Sequence, residues 1–219
     1  MSFRYFRLGS MICCLLLGLL PKSQAEDKAY AGAPFGQLPL VQEIICAEAT
    51  PEEIPKEASQ TKTILGQACR VLPDDLDRSA FFAYRVGAGK GLQPGKCYLL
   101  TVEYPEDAAR SFHIANWGCE TVLGLATGAT VGDILKGRYV NQNAESVQYP
   151  LSGKYETWQQ LFFLHDRFPD IERPRGKGLR PKTPEDGFLV AFAQPESKMA
   201  PLSAGAAVRA IRLFEVPDP

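Results

Sequence analysis

Histidine is scarce in this chain: its 219 residues hold only His113 and His165. Two imidazoles cannot complete a His-rich zinc site, and HExxH is absent. CxxC is missing, which removes support for a thioredoxin-like redox site or a zinc ribbon. GxSxG does not occur either, so no nucleophile elbow is supported. The glycine-rich turn Gly87-Ala88-Gly89-Lys90-Gly91-Leu92 has Leu where GxGxxG needs its last glycine, and Gly95-Lys96 runs into Cys97 rather than Ser or Thr. Basic charge is not in excess: 24 Lys and Arg stand against 25 Asp and Glu, unlike the footprint of a nucleic-acid binder. Long apolar runs are lacking as well. Met11 to Leu20 is the clearest, and its roughly ten residues are too few to cross a ~30 Å hydrocarbon core as a helix.

That run suits an export signal instead. Arg4 and Arg7 precede it, and Ser23-Gln24-Ala25 follows with small residues at −3 and −1. Cleavage near Ala25 is expected, with a secreted, periplasmic or cell-surface destination. The remaining chain keeps 21 basic and 25 acidic residues, a net charge of −4. It also keeps Cys46, Cys69, Cys97 and Cys119. In an oxidising compartment these are disulfide candidates with three possible pairings, or else small buried thiols.

What is present is short, alternating and β-rich. Ala80, Phe82, Tyr84 and Val86 share one face of a strand, opposite Phe81, Ala83 and Arg85. Tyr98, Leu100, Val102 and Tyr104 alternate likewise after the turn GAGKGLQPGK, which suggests that these two strands pair antiparallel. Ser111 to Trp117 points Phe112 and Ile114 inward, and His113, Ala115 and Trp117 outward. Strands are also expected at 40–46, 63–72, 121–126, 137–140 and 207–216. Phe188 to Ala193 is apolar on both faces, as a central strand is. Trp158 to Phe168 fits either a helix or a strand, and its length and aromatic content favour the strand. Residues 26–39 are expected to be a flexible lead-in, residues 50–62 an acidic loop, and residues 40–219 one domain. The expected class is an all-β, two-sheet antiparallel sandwich of jelly-roll type with short helices at most.

The segment Leu92-Gln93-Pro94-Gly95-Lys96-Cys97-Tyr98-Leu99-Leu100 resembles a turn and strand of secreted jelly-roll carbohydrate-binding modules and galactose-binding-like domains. The segment Ala210 to Val216 is similar to their last strand. Such domains belong to large exported bacterial proteins that also carry glycoside-hydrolase-like regions. The resemblance implies a β-sandwich, a glycan ligand, and a structural calcium as a possible cofactor.

A glycan site needs flat rings for the C–H face of a sugar and polar groups for its hydroxyls. His113, Asn116 and Trp117 form one candidate; Tyr139, Asn141, Asn143, Tyr149 and Tyr155 form a second. His165 and Arg167 lie on one face of a strand, with Asp166 on the other. The competing readings are a Trp that covers a sheet edge, Asn that serves turns, and Tyr that caps the core. Trp158 is expected as a core anchor. The long charged segment 169–187 is a solvated loop or a protein contact. Non-catalytic carbohydrate binding is the leading expectation. A small glycoside hydrolase or lyase using a carboxylate pair is the first rival, and a surface-assembly protein the second.

Overall fold

The computed structural model describes residues 27–128, 150–171, 181–199 and 203–217. These form β1 (Lys28–Tyr30), β2 (Gln37–Ile45), β3 (Glu52–Ile54), β4 (Gln60–Ile64), β5 (Gln67–Val71), β6 (Ala80–Val86) and β7 (Cys97–Pro105). After them come β8 (Arg110–Asn116), β9 (Thr121–Thr127), β10 (Tyr155–Phe163), β11 (Phe188–Gln194), β12 (Ala207–Val208) and β13 (Ala210–Glu215). Among the described residues, helix is limited to two 3-10 turns, Pro184–Asp186 and Ser197–Met199.

Two five-stranded antiparallel sheets face each other. Sheet 1 runs β1-β2-β13-β7-β10 and sheet 2 runs β3-β6-β11-β8-β9. A smaller sheet, β12-β5-β4, continues from one end. The side-chain period of two makes this arrangement work: in each alternating strand one set of residues enters the space between the sheets. Phe82, Tyr84 and Val86 from β6, Tyr98, Leu100 and Val102 from β7, and Phe112 and Ile114 from β8 all join one core. Phe192 lies at its centre, with ring centroids 5.1 Å from Phe82 and 6.5 Å from Phe112. Each such buried ring contributes about 2 kcal/mol of transfer free energy. β11 sits in the middle of its sheet, as its two apolar faces predicted.

Four expectations change. The turn GAGKGLQPGK does not close a hairpin. β6 pairs with β3 and β11, while β7 pairs with β13 and β10, so the turn carries the chain from one sheet to the other. The strand expected at 63–72 is a hairpin instead, broken by Leu65 and Gly66 at φ 45° and 79°. The acidic loop contains β3. The expected lead-in is ordered: β1 pairs with β2, and Ala31 is buried with Leu99 and Phe214 on the outer side of sheet 1. Small Gly and Ala residues let that segment lie close against the sheet. The expected strand at 137–140 lies outside the described residues.

Arg110 locks the end of β8. Its guanidinium donates to both Asp107 carboxylate oxygens at 3.0 and 3.1 Å, and to the Ala204 and Gly205 carbonyls at 3.1 and 2.6 Å. Gly205 has φ 88°, and a Cβ there would stand 2.1 Å from the Leu72 carbonyl oxygen, so only glycine fits.

Candidate functional site

The outer face of sheet 2 gathers the chemistry that a flat ligand needs. The register builds one row across five strands: Ile54, Phe81, Ala193, His113 and Gly124. Strands lie about 4.8 Å apart, so Phe81 and His113 stand roughly 10 Å apart with only the Ala193 methyl between them. His113 and Gly124 are exposed, Phe81 and Ala193 are half-buried, and Ile54 is 46% exposed. A Cβ at Gly124 would meet nothing within 4 Å, so that end of the row is open. The row carries no carboxylate and no lysine or arginine.

The next row is Glu52, Ala83, Ala191, Ala115 and Val122. Its three alanines are buried with Leu189, and Phe81, Trp117 and Ile171 pack against them. Trp117 follows β8, and its N–H donates to the Leu189 carbonyl at 3.0 Å. Beside these lies an ion-pair chain. One Arg85 nitrogen stands 3.0 Å from both Glu52 and Asp170, and Lys182 stands 3.2 Å from Asp170. Partial burial pushes the Asp170 carboxyl up; hydrogen bonds from Arg85, the Ile171 N–H and Lys182 outweigh it and hold the carboxyl below its ordinary range.

His113 and Trp117 share this face, as their alternation predicted. Asn116 does not. It points between the sheets and is fully buried, donating to the Gln160 side chain at 3.1 Å and accepting from the Gly118 N–H at 3.0 Å. Adjacency in sequence placed it beside Trp117, but the strand period turns it to the opposite face. Tyr155 begins β10 in sheet 1, so it lines no common groove with Trp117. Its hydroxyl donates to the Ile64 carbonyl at 2.6 Å and lies 3.1 Å from the Cys69 sulfur, and the Arg209 guanidinium sits 5.9 Å over its ring. His165 and Arg167 do not share a strand face as expected: β10 ends at Phe163, and both are exposed in the segment after it, where the His165 N–H donates to the Gly118 carbonyl at 2.9 Å. Tyr139, Asn141, Asn143 and Tyr149 lie outside the described residues. Trp158 packs against the core and is partly buried. Phe81 was not singled out as a ligand contact, although its place on the face opposite the core was legible.

A second hollow of about 560 Å³ lies by β3, lined by Thr50, Glu53, Lys56, Glu57, Ser59 and Arg70 among others. Its charges are mixed and no aromatic ring lines it, so it offers no flat face.

Four acids that could serve a carboxylate pair are engaged with cations. Glu103 pairs with Arg209 and Arg212, Asp107 with Arg110, Glu156 with Lys154, and Asp166 with Arg167. Among the described residues, no group of three His, Cys, Asp or Glu side chains is arranged to hold a metal ion, so they do not form a carboxylate site for calcium. No disulfide joins Cys46, Cys69, Cys97 and Cys119. They occupy separate places: the end of β2, the middle of β5, the start of β7 and the β8–β9 turn. Among the described residues no helix is long and apolar enough to cross a membrane.

The strands and their pairing define an all-β antiparallel sandwich of jelly-roll type. Solved structures similar to it include carbohydrate-binding modules. A family 35 module from Clostridium thermocellum matches at 11% identity and a TM-score of 0.40, over 80% of this chain and 99% of that one. A family 6 module of lichenase 5A from Cellvibrio mixtus, solved with cellotriose, matches at 13% identity and 0.39, over 81% and 99%. The C-terminal family 6 module of a laminarinase from Zobellia galactanivorans matches at 14% and 0.38, over 80% and 100%. No protein-family model matches the chain, and no curated protein sequence does. The fold is read from the strand pairing, and the site from its own residues.

Proposed function

We propose that this chain is an exported, non-catalytic glycan-binding domain whose ligand lies along the outer row of sheet 2. The observation that carries this reading is the pair of planar side chains, Phe81 and His113, flanking Ala193 on an exposed, uncharged strip. A sugar presents a C–H face that favours the Phe81 ring, and its hydroxyls exchange hydrogen bonds with the His113 imidazole. The small Ala193 side chain lets the sugar approach the sheet, and Trp117 borders the strip. Tyr139, Asn141 and Asn143 are further candidate contacts. Export rests on the leader ending near Ala25.

A panel of immobilised glycans probed with wild type, Phe81→Ala, His113→Ala and Tyr139→Ala tests the reading. Binding to a defined glycan, weakened by the first two changes, is expected. If no glycan is bound, or if binding ignores both changes, the reading is wrong. N-terminal sequencing of protein recovered from the medium or periplasm tests export; an intact Met1 would contradict it.

A further inference from the structure

We infer that Asp170 is a positioning residue: it anchors Ile171, which with Trp117 walls one long side of this row and so restricts the site to unbranched glycan chains. The inference rests on the glycan reading above and adds what sets its selectivity.

The row Ile54–Phe81–Ala193–His113–Gly124 is open along its length. One flank differs. There Ile171 and Trp117 pack onto the buried cluster of Ala83, Ala115, Leu189 and Ala191. Alanines are too short to raise a barrier on a sheet surface, so the barrier is Ile171 and Trp117 themselves. Trp117 is held by its own strand. Ile171 belongs to the connection between β10 and β11, and it needs an anchor. Asp170, the residue before it, supplies one. Its Oδ1 accepts from Arg85 on β6 at 3.0 Å and from the Ile171 N–H at 2.8 Å, and its Oδ2 lies 3.2 Å from the Lys182 ammonium. The Phe168–Lys182 bridge closes the base of the segment, with backbone bonds of 2.7 and 3.2 Å. Among the described residues, the other charge tied into this latch is Glu52 on β3, which shares Arg85 at 3.0 Å. With two cations against two carboxylates, the latch adds no net charge beside the row. A substituent projecting from the walled side of a sugar chain would meet Ile171 or Trp117, whereas a plain chain would not. Hydrogen bonds from Arg85, the Ile171 N–H and Lys182 hold the Asp170 carboxyl below its ordinary range, which keeps the latch charged into acidic solution.

The test has two readouts. The chain has two tryptophans, Trp117 and Trp158. Trp158→Phe therefore leaves Trp117 as the sole reporter. In that background Asp170→Asn, and separately Ile171→Ala, is expected to raise the acrylamide quenching constant of Trp117 by about twofold as its cover loosens. Unchanged quenching in both variants overturns the latch. Thermal melts check that each variant is folded, and Ile171→Ala, which leaves the ion pairs whole, decides the matter if Asp170→Asn does not fold. The second readout is affinity electrophoresis in an unbranched β-glucan and in a side-chain-decorated xyloglucan. Wild type is expected to be retarded by the first gel alone, and both variants by both gels. Retardation of wild type by the decorated glucan overturns the selectivity. If neither gel retards wild type, the selectivity for unbranched over decorated glucan is overturned, the glycan panel decides the glycan reading, and the quenching result still judges the latch.

Discussion

The Asn116 amide reaches across the space between the two sheets and donates to the Gln160 carbonyl oxygen at 3.1 Å. Gln160 in turn donates to Thr121 Oγ1 at 2.6 Å, and Asn116 Oδ1 accepts from the Gly118 N–H. The bridge therefore ties β10 of sheet 1 to the β8–β9 turn of sheet 2. It makes Asn116 a structural residue one position away from Trp117 on the outer face of sheet 2.

Asn116→Leu should lower stability by about 2 kcal/mol, because it leaves the Gly118 N–H and the Gln160 side-chain carbonyl oxygen without these partners in a buried setting. Urea denaturation reads the loss. Glycan retention by the folded fraction should stay at the wild-type level. Wild-type stability in the variant would mean that the bridge carries no weight.

Arg110 is the second structural residue to test. Arg110→Met removes a buried guanidinium that satisfies Asp107 and two carbonyls, and should cost about 3 kcal/mol. Asp107→Asn, which keeps a hydrogen-bonding side chain of the same shape, should cost less. The reverse order in chemical denaturation would contradict the part assigned to the carbonyl contacts.

Much of the framework was legible because burial imposes period two on a half-buried strand. Ala80–Val86 and Phe188–Ala193 show that period, or apolar faces on both sides, without interruption, and their limits came out within a residue. Pairing was not legible. The turn after Val86 contains the Gly and Pro residues of a hairpin, yet partners are decided by which sheet each strand completes, and no local signal carries that. Leu65-Gly66 lacks the Asn-Gly or Asp-Gly signature of a two-residue hairpin turn, so one strand was expected where two exist. His113 and Trp117 could be placed on one face because they are four residues apart on a single strand. Tyr155 could not be assigned, since its hydroxyl partner Ile64 is 91 positions distant in the chain.

Alkaline pH should destabilise the protein. Burial pushes the Cys46, Cys69 and Cys119 thiols above their ordinary 9.0. It likewise raises the Tyr84, Tyr98, Tyr104 and Tyr155 phenols above 10.0. With folded values above unfolded ones, the unfolded chain releases protons first as pH rises. The contribution is whole below about pH 9 and is lost progressively above it. Melting temperatures taken from neutral pH upward should hold steady and then fall; a flat profile through the tyrosine range would contradict the burial of these groups. For the same reason Cys46 should resist a thiol reagent in the native protein and react freely in denaturant.

The last prediction separates the row from the rest of the sheet surface. Ala193 lies between Phe81 and His113 in register, is half-buried, and belongs to the outer face rather than the core. Ala193→Trp would fill the gap between the two rings without entering the space between the sheets. The fold should survive, with a melting temperature close to wild type, because a half-buried position on the outer face tolerates bulk that a packed interior does not. Glycan retention should vanish. Val122→Trp offers the control: Val122 is on the same face and 61% exposed, but in the neighbouring row. It should leave retention largely intact. Loss in both variants would point to a general effect on the sheet, and retention in Ala193→Trp would move the ligand off the row altogether. Either result can be read from one affinity gel run beside one thermal melt.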